Sequence, residues 1–321
     1  MLHGVTKGDL KLSKNINKYL DMCSKCNKCE KFCPSGIDVC QILNTAKYEY
    51  SRNTLLGKLI FFIQSKLIFS NALKILSGIS KIPDRTPVME EGELTVLYFK
   101  GCVNKILPQT DKYIYKIFKN SPVKIKTPDF DCCGLPFLSE GNLERFEQAA
   151  KINIEKMDTH YDYLITDCAS CEDTLLNYPN YNENFKIDYT RSINWGELIA
   201  LKNIRFKYKN LIKVTFHKPC HLKNDSFFEK IIENCENVEY IKMNDYDDCC
   251  GLSGSFFIKN PKLSDKLMKQ KAQNIISTNT DYVITSCPAC ILGLKKSLIG
   301  SKSKTKVVSL LEFLAMADRI N

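Results

Sequence analysis

The amino-acid sequence predicts an α/β protein with two tandem modules behind a small helical domain. The string Asp-Cys-Cys-Gly-Leu occurs at residues 131–135 and recurs at 248–252. Around each copy, short apolar stretches typical of strands alternate with stretches of helical periodicity, which favours a mostly parallel sheet. We therefore divide the chain into an N-terminal cysteine domain, an apolar helix with a linker, a first module and a second module, at residues 1–50, 51–92, 93–203 and 204–321.

The N-terminal domain carries the motif Cys23-x-x-Cys26-x-x-Cys29-x-x-x-Cys33-Pro34. Thiolates at this spacing wrap one [4Fe–4S] cubane cluster, and in two-cluster ferredoxins the fourth cysteine serves the partner cluster. The sequence contains no second copy of the motif, so we expect Cys23, Cys26 and Cys29 to be joined by either Cys33 or Cys40. A zinc site is the alternative, but it would favour two C-x-x-C pairs or added histidines.

An apolar stretch follows the predicted helix at residues 37–52 and covers residues 54–76. Lys58, Lys66 and Lys74 interrupt it, so no uncharged run approaches the ~20 residues that a membrane span needs. Three interpretations remain open for this stretch: a core helix, a docking face for a partner protein, or a helix lying on a membrane surface.

The same order of elements is predicted in both modules. Each cysteine group follows a predicted strand, and the last group of each module, Cys-x-x-Cys, opens a helix. Because the carboxyl ends of parallel strands meet at one edge of a sheet, we expect these groups to converge there. The strands are predicted at 94–99, 123–126, 163–166, 214–216, 238–241 and 282–285, and the main helices at 110–119, 143–157 and 263–276.

Ten cysteines repeat at matched distances. In the first module, 29 residues separate Cys102 from Cys132-Cys133, and 34 more precede Cys168-x-x-Cys171. The second module has 28 and 36 residues at the same places, between Cys220, Cys249-Cys250 and Cys287-x-x-Cys290. Five thiolates exceed the four ligands of one cube or one zinc ion, which favours a larger or split metal centre. The glycine after each Cys-Cys pair is expected to let the backbone approach a bulky group.

Composition limits the classes of protein and of partner. The chain has 321 residues with 44% hydrophobic content, which argues against disorder, and its 16 cysteines are too sparse for a small disulfide scaffold. Residues 1–10 lack the apolar run of a signal peptide, so we expect a cytoplasmic protein, with the inner face of the membrane as an alternative site. The formal charge of +10 is spread along the chain without an arginine-rich patch, so no nucleic-acid partner is expected.

The arrangement C-x29-C-C-G-x33-C-x-x-C, given twice with small changes, resembles the cysteine-rich CCG domain family. Its members include the B and D subunits of heterodisulfide reductase, the glycolate oxidase iron–sulfur subunit and the C subunit of anaerobic glycerol-3-phosphate dehydrogenase. The phrases that carry this resemblance are at 33–36, 99–102, 166–171, 217–221 and 249–255. The resemblance implies two Rossmann-like CCG modules behind a ferredoxin-type domain. The chain departs from the relatives of that domain order in having one ferredoxin motif where they have two.

The resemblance also implies a cofactor in each module. In heterodisulfide reductases, a complete five-cysteine module can hold a non-cubane [4Fe–4S] cluster that cleaves a disulfide. By this resemblance, one cluster would be held by Cys102, Cys132, Cys133, Cys168 and Cys171, and another by Cys220, Cys249, Cys250, Cys287 and Cys290. An ordinary cube with one spare cysteine per module is the alternative.

Two classes of function follow from the resemblance. The first is an electron-transfer subunit of an anaerobic oxidoreductase complex, which connects a flavoprotein dehydrogenase partner to a quinone, a ferredoxin or another acceptor. The second is an enzyme that reduces a disulfide at a non-cubane cluster. A metal-bound scaffold without redox chemistry is a third, weaker interpretation. The sequence has no G-x-G-x-x-G after a strand, so substrate oxidation would need a partner that supplies the flavin.

The histidines beside Cys220 are the candidate catalytic residues. His217 and His221 could donate a hydrogen bond to a cluster sulfur or protonate a departing thiolate. The alternative is that both are structural and are held by backbone carbonyls. His3 and His160 have no motif around them and are predicted to lie at the surface, and Cys235 is predicted to be a buried free thiol.

Overall fold

The computed structural model describes residues 2–11, 13–53, 93–106, 109–157 and 159–320. The predicted apolar helix and its linker, at 54–92, lie outside these residues. The described chain forms an N-terminal helical region and two α/β modules, each with a parallel sheet, so the predicted fold class is confirmed. That the N-terminal region is a ferredoxin-type domain stays a prediction.

The N-terminal region is made of short helices joined by cysteine-bearing turns. Ser13 caps the second of them, because its side chain accepts the amide of Ile16. Asp38 precedes the last one, where its Oδ1 accepts the amide of Gln41 at 2.8 Å, so the helix predicted from residue 37 begins at Val39. The helices are α1 (Leu2–Thr6), α2 (Lys14–Leu20), α3 (Lys28–Phe32) and α4 (Val39–Asn53).

The first module is a four-stranded sheet in the order β2-β1-β3-β4, with all neighbours parallel. The three strands predicted here are all present, and the helix predicted at 143–157 has those bounds. The elements are β1 (Leu94–Tyr98), α5 (Gly101–Ile106), α6 (Gln109–Phe118), β2 (Val123–Lys126), α7 (Leu135–Ser139), α8 (Leu143–Met157), β3 (Tyr163–Thr166), α9 (Ala169–Leu176), β4 (Ser192–Asn194) and α10 (Trp195–Leu201).

The second module repeats this order as β6-β5-β7-β8, and a short strand β9 pairs antiparallel with β5. The matching strand order shows that the repeated cysteine string belongs to a repeated fold. The elements are β5 (Phe206–Phe216), α11 (Ser226–Glu233), β6 (Cys235–Tyr240), α12 (Phe256–Lys259), α13 (Pro261–Ser277), β7 (Tyr282–Thr285), α14 (Pro288–Leu298), β8 (Lys306–Ser309), α15 (Leu310–Met316) and β9 (Asp318–Arg319).

The two modules pack on each other through aromatic and main-chain contacts. The ring of Trp195 lies 5.3 Å from that of Tyr98 and 5.2 Å from that of Phe118, inside the first module. On the next residue, a Cβ at Gly196 would lie 2.3 Å from the ring of Phe227 in the second module. The C-terminal end returns to the first module, where the Arg319 guanidinium donates to the carbonyl of Ile117 at 2.9 Å. These contacts fix the two sheets relative to each other.

Candidate metal centre

The five cysteines of the first module meet at the carboxyl end of its sheet. Cys102 is the second residue of α5, directly after β1, and its Sγ lies 3.6 Å from that of Cys132. Hydrogen bonds from the thiols of Cys132 and Cys171 hold the pKa of Cys133 well below its ordinary value. Cys168 is the N-cap of α9 and interacts with Cys171 one turn later. Four of these thiols are buried and Cys102 is half-buried.

The second module brings its five cysteines together in the same way. A chain of thiol–thiol hydrogen bonds runs from Cys220 to Cys249, Cys250, Cys290 and Cys287. Hydrogen bonds from Cys220 and Cys250 hold the pKa of Cys249 well below its ordinary value. Cys250, Cys287 and Cys290 are buried, and the other two are half-buried.

The two sets of thiols touch across the seam between the modules. Cys168 and Cys287 are N-caps of equivalent helices, and a hydrogen bond from Cys168 is the largest cause that lowers the pKa of Cys287. Ser170 Oγ lies 3.9 Å from Cys287 Sγ. The amide of Ala169 donates to the carbonyl of Ser286 at 3.2 Å. The ten cysteines therefore form one continuous group rather than two separate sites.

The glycines of the repeated string serve the turn and the helix behind it. Gly134 has a φ of +93°, and a Cβ there would lie 2.6 Å from the ring of Phe146. Gly251 has a φ of +84°, and its Cβ would lie 2.8 Å from Met268 Cγ. The close neighbours of both Cβ positions are therefore core atoms, and the expected approach of this backbone to a metal centre stays a prediction. Two other glycines face the thiols: a Cβ at Gly101 would lie 3.2 Å from Cys171 Sγ, and a Cβ at Gly293 would lie 3.1 Å from Cys250 Sγ.

Different side chains hold the Cys-Cys turn in the two modules. In the first, Asn153 is fully buried, accepts the amide of Asp131 at 2.7 Å and donates to the carbonyl of Cys132 at 3.0 Å. The equivalent residue in the second is Lys271, which is also buried and donates through Nζ to the carbonyl of Asp245. Burial lowers the pKa of Lys271, and the charge of this lysine interacts with Cys250.

His217 lies among the thiols of the second module. It is fully buried, and one of its ring nitrogens forms a group with the Sγ atoms of Cys250 and Cys290 in which all atoms lie within 4.8 Å of one another. Within the described residues, neither ring nitrogen has a partner in hydrogen-bonding geometry. Burial, and then the charge of Lys271, lowers the pKa of His217 to about 3, which favours the neutral ring. A neutral imidazole has one N–H to donate and one lone pair, and the protonated ring has two N–H donors.

His221 has a different position. Its Nδ1 lies 2.8 Å from Ser170 Oγ in the first module, and its Nε2 lies 2.7 Å from the carbonyl oxygen of Lys25 in the N-terminal region. This histidine is therefore held between three parts of the chain, next in sequence to Cys220. His3 and His160 are exposed and Cys235 is buried, as expected from the sequence.

The N-terminal cysteines are only partly brought together. The thiol of Cys40 hydrogen-bonds to Cys23 and lowers the pKa of Cys23 to about 6. Cys33 instead interacts with the backbone amides of Ile37 and Ser35, which lower its pKa. Cys26 is half-buried and Cys29 exposed, and within the described residues neither of them is hydrogen-bonded to the Cys23–Cys40 pair.

This region docks on the second module close to the ten thiols. The hydroxyl of Ser253 donates to the carbonyl of Ser24, and Lys28 forms an ion pair with Asp248 of the repeated string. Together with the bond between His221 and Lys25, these contacts place the Cys23–Cys40 pair beside the second module.

The chemistry of the donor set suits an iron–sulfur cluster. The donors of each module are five neighbouring thiols, and soft thiolate ligands favour zinc or iron–sulfur clusters. Zinc takes four ligands in structural sites, so five thiols fit a polynuclear cluster better than a single ion.

Comparison with known proteins identifies the repeated module. Residues 96–175 and 214–295, about half of the chain, match the cysteine-rich domain family, CCG. The chain belongs to this family. A protein of Methanothermobacter marburgensis, named as the B subunit of fumarate reductase (CoM/CoB), is 28% identical over 312 residues, which cover 94% of this chain and 62% of that protein. This chain thus spans about three fifths of the length of that relative.

Other CCG relatives differ in length. An uncharacterized iron–sulfur protein of Methanococcus maripaludis is 29% identical over 93% of this chain and 62% of its own length. Lactate utilization protein A of Oceanobacillus iheyensis is 23% identical over 69% of this chain and 96% of its own length. Among solved structures, a hypothetical protein from Helicobacter pylori aligns with a TM-score of 0.58 at 13% identity, over 95% of this chain and 64% of that one. This last similarity concerns the fold alone.

No helix within the described residues is both long and apolar enough to cross a bilayer.

Proposed function

We propose that this CCG protein is an iron–sulfur subunit of an oxidoreductase complex and carries single electrons between a flavoprotein dehydrogenase partner and an acceptor. The observation that supports this most is the continuity of the thiols. The first set lies next to the second, since Ser170 Oγ is 3.9 Å from Cys287 Sγ and the amide of Ala169 donates to the carbonyl of Ser286. The second set meets the N-terminal region where His221 binds the carbonyl of Lys25, two residues after Cys23. A relay needs closely spaced and shielded redox centres, and this arrangement of thiols supports such a path.

The names of the relatives support the same class of function. One is named as part of a reductase, one as an iron–sulfur protein and one as a lactate utilization protein. We propose that the five thiols of each module hold one [4Fe–4S] cluster, of cubane or non-cubane type, and that Cys23, Cys26 and Cys29 hold a third with Cys40 or Cys33. When bound, such clusters accept and release single electrons. The partner would bring the flavin, and a quinone or a ferredoxin would accept the electrons.

Anaerobic purification tests this function directly. Three clusters predict about twelve irons and about as many sulfides per chain, with electron paramagnetic resonance (EPR) signals on reduction. Replacement of Cys26 by Ser should remove about four irons and leave the signals of the module clusters. Zinc in place of iron, or iron that does not respond to a reductant, would contradict the proposal.

Disulfide reduction is the second candidate, and the contact between Cys168 and Cys287 favours it. A disulfide that reached the seam would lie against the thiol sets of both modules at once. His221 is bound to both Ser170 and Lys25 beside this seam, and a cavity of about 50 Å³ reaches it from the side of Cys40. A protonated side chain there could supply the proton that a departing thiolate needs.

A disulfide panel separates the two candidates. The isolated protein, with an artificial electron donor, would be offered low-molecular-weight and protein disulfides, and wild type would be compared with His221→Ala at equal iron content. Turnover that falls sharply in the variant would favour the reductase. Absence of turnover, together with rapid reduction of the clusters by a flavoprotein, would favour the electron-transfer function.

A further inference from the structure

The two modules provide an internal comparison, because their strands and their five cysteines follow in the same order. At the position three residues before the first cysteine, the second module has His217 and the first has Phe99. Both side chains are fully buried. The ring of Phe99 packs on that of Phe130 at 4.9 Å, which is an ordinary core contact. The imidazole of His217, by contrast, lies against the thiols of Cys250 and Cys290.

The unpartnered state of His217 is the decisive observation. A buried N–H without a hydrogen bond is destabilising, and most buried polar groups in native proteins have a partner. Both ring nitrogens of His217 lack one among the described residues, while a ring nitrogen lies within 4.8 Å of two cysteine sulfurs. A cluster bound by these cysteines would bring its own sulfur atoms into this space and could accept the N–H.

A second difference lies on the helix behind the turn. Lys271 of the second module stands where the first has Asn153, and its Nζ donates to the carbonyl of Asp245. The charge of Lys271 interacts with Asp248, Asp245 and Asp247 more strongly than with Cys250, and the first module has a cation of its own, Arg145, beside Asp131. The comparison of the two modules therefore rests on the imidazole of His217.

We propose that His217 donates a hydrogen bond to the cluster of the second module and makes it the electron acceptor of the pair. Hydrogen bonds to cluster sulfurs stabilise the reduced, more negative form. One electron then leaves the centre of the first module, which is oxidised, and enters that of the second, which is reduced, and no bond is made or broken. This inference rests on the proposed function, because it needs a cluster in each module.

The test is an EPR-monitored redox titration of the anaerobically purified full chain. Cys132→Ser and Cys249→Ser assign the signals to their modules. In wild type, the midpoint potential of the second module should be the higher one. His217→Phe, which introduces the side chain of the first module, should lower this potential by about 59 mV, a tenfold change in the equilibrium constant for one electron, and leave the first module unchanged. His217→Gln keeps an N–H donor and should restore most of the difference.

The outcomes separate this inference from the function on which it rests. A protein without iron and sulfide contradicts both. Two clusters with equal potentials, or with the first module higher, overturn the inference and leave the relay intact. An unchanged potential in folded, iron-replete His217→Phe overturns it as well. If that variant does not fold, the reciprocal variant Phe99→His tests the inference instead. It should raise the midpoint potential of the first module. An unchanged potential in this variant would contradict the proposed hydrogen bond.

Discussion

Cys40 and Cys33 are the two candidates for the fourth ligand of the N-terminal cluster, and they lie at opposite ends of a short segment. Cys40 sits in the first turn of α4 and hydrogen-bonds to Cys23, whereas Cys33 is the C-cap of α3 and interacts with backbone amides. We therefore expect Cys40 to complete the N-terminal site. Cys40→Ser should lose about four irons, and Cys33→Ser should keep them.

These two variants are matched controls for each other, since each removes one thiol from the same turn. Iron and sulfide counts on both, with the EPR signals of the modules as an internal reference, give the answer. Loss of iron in Cys33→Ser with retention in Cys40→Ser would assign the site to Cys33 instead.

At the residue scale, the spacing of the cysteines carried most of the information. The repeat assigns five cysteines to each module, and the structure brings each set of five together. They converge because each cysteine group follows a strand of a parallel sheet. The meeting of Cys168 with Cys287 could not be predicted, since it depends on how two folded modules pack. Nor does the sequence distinguish His217, which lies beside Cys250 and Cys290, from His221, which binds Ser170 and the Lys25 carbonyl.

At the scale of the secondary-structure element, the turn after each Cys-Cys pair requires a glycine. Gly134→Ala places a Cβ in a left-handed conformation, which costs about 1–2 kcal/mol, and forces it against Phe146 on α8, which adds about 1–3 kcal/mol. We expect the free energy of unfolding to fall by about 2–5 kcal/mol, seen as a lower midpoint in thermal unfolding under anaerobic conditions.

Gly254→Ala is the control for this variant. Gly254 also has a positive φ, +42°, but no atom lies within 4 Å of its Cβ position. Gly254→Ala should therefore lower the free energy of unfolding only by the cost of the left-handed conformation, without the additional cost of a steric clash. Equal losses in the two variants would mean that the packing of Phe146 on the turn contributes nothing.

The elements that the sequence does not predict share a physical cause. The fourth strand of the first sheet is only Ser192–Asn194, and its single apolar residue gives no periodic signal. It is a strand because Ile193 and Asn194 pair with Ile165 and Thr166 of β3, a tertiary contact. The strand predicted at 214–216 is longer and begins at Phe206, because β9 pairs with Phe206 and Lys207, which is again a tertiary contact.

At the scale of the whole molecule, Gly196 controls how closely the modules approach. A Cβ there would lie 2.3 Å from the ring of Phe227 and 2.9 Å from Leu310 Cδ2, both in the second module. Gly196→Ala should therefore lower the unfolding midpoint by several degrees, for an overpacking cost of about 1–3 kcal/mol. It should also alter the EPR interaction between the module clusters.

Leu201→Ala, on the exposed end of the same helix α10, provides the comparison. It should change neither property, since Leu201 is 65% exposed. A Gly196 variant as stable as wild type, with unchanged signals, would mean that the seam tolerates the extra methyl group and is looser than these distances indicate.

The contact between Cys168 and Cys287 makes the two halves of the duplication dependent on each other. Each half alone would present its last two cysteines to solvent, on the face that the other half now covers. Such a fragment would be exposed to oxidation and to self-association through its thiols, however well its own sheet folded. A substitution near this interface in one module therefore also changes the packing of the other module. Substitutions at the outer surface of one module should leave the other module unaffected, whereas substitutions along this line of contact should affect both.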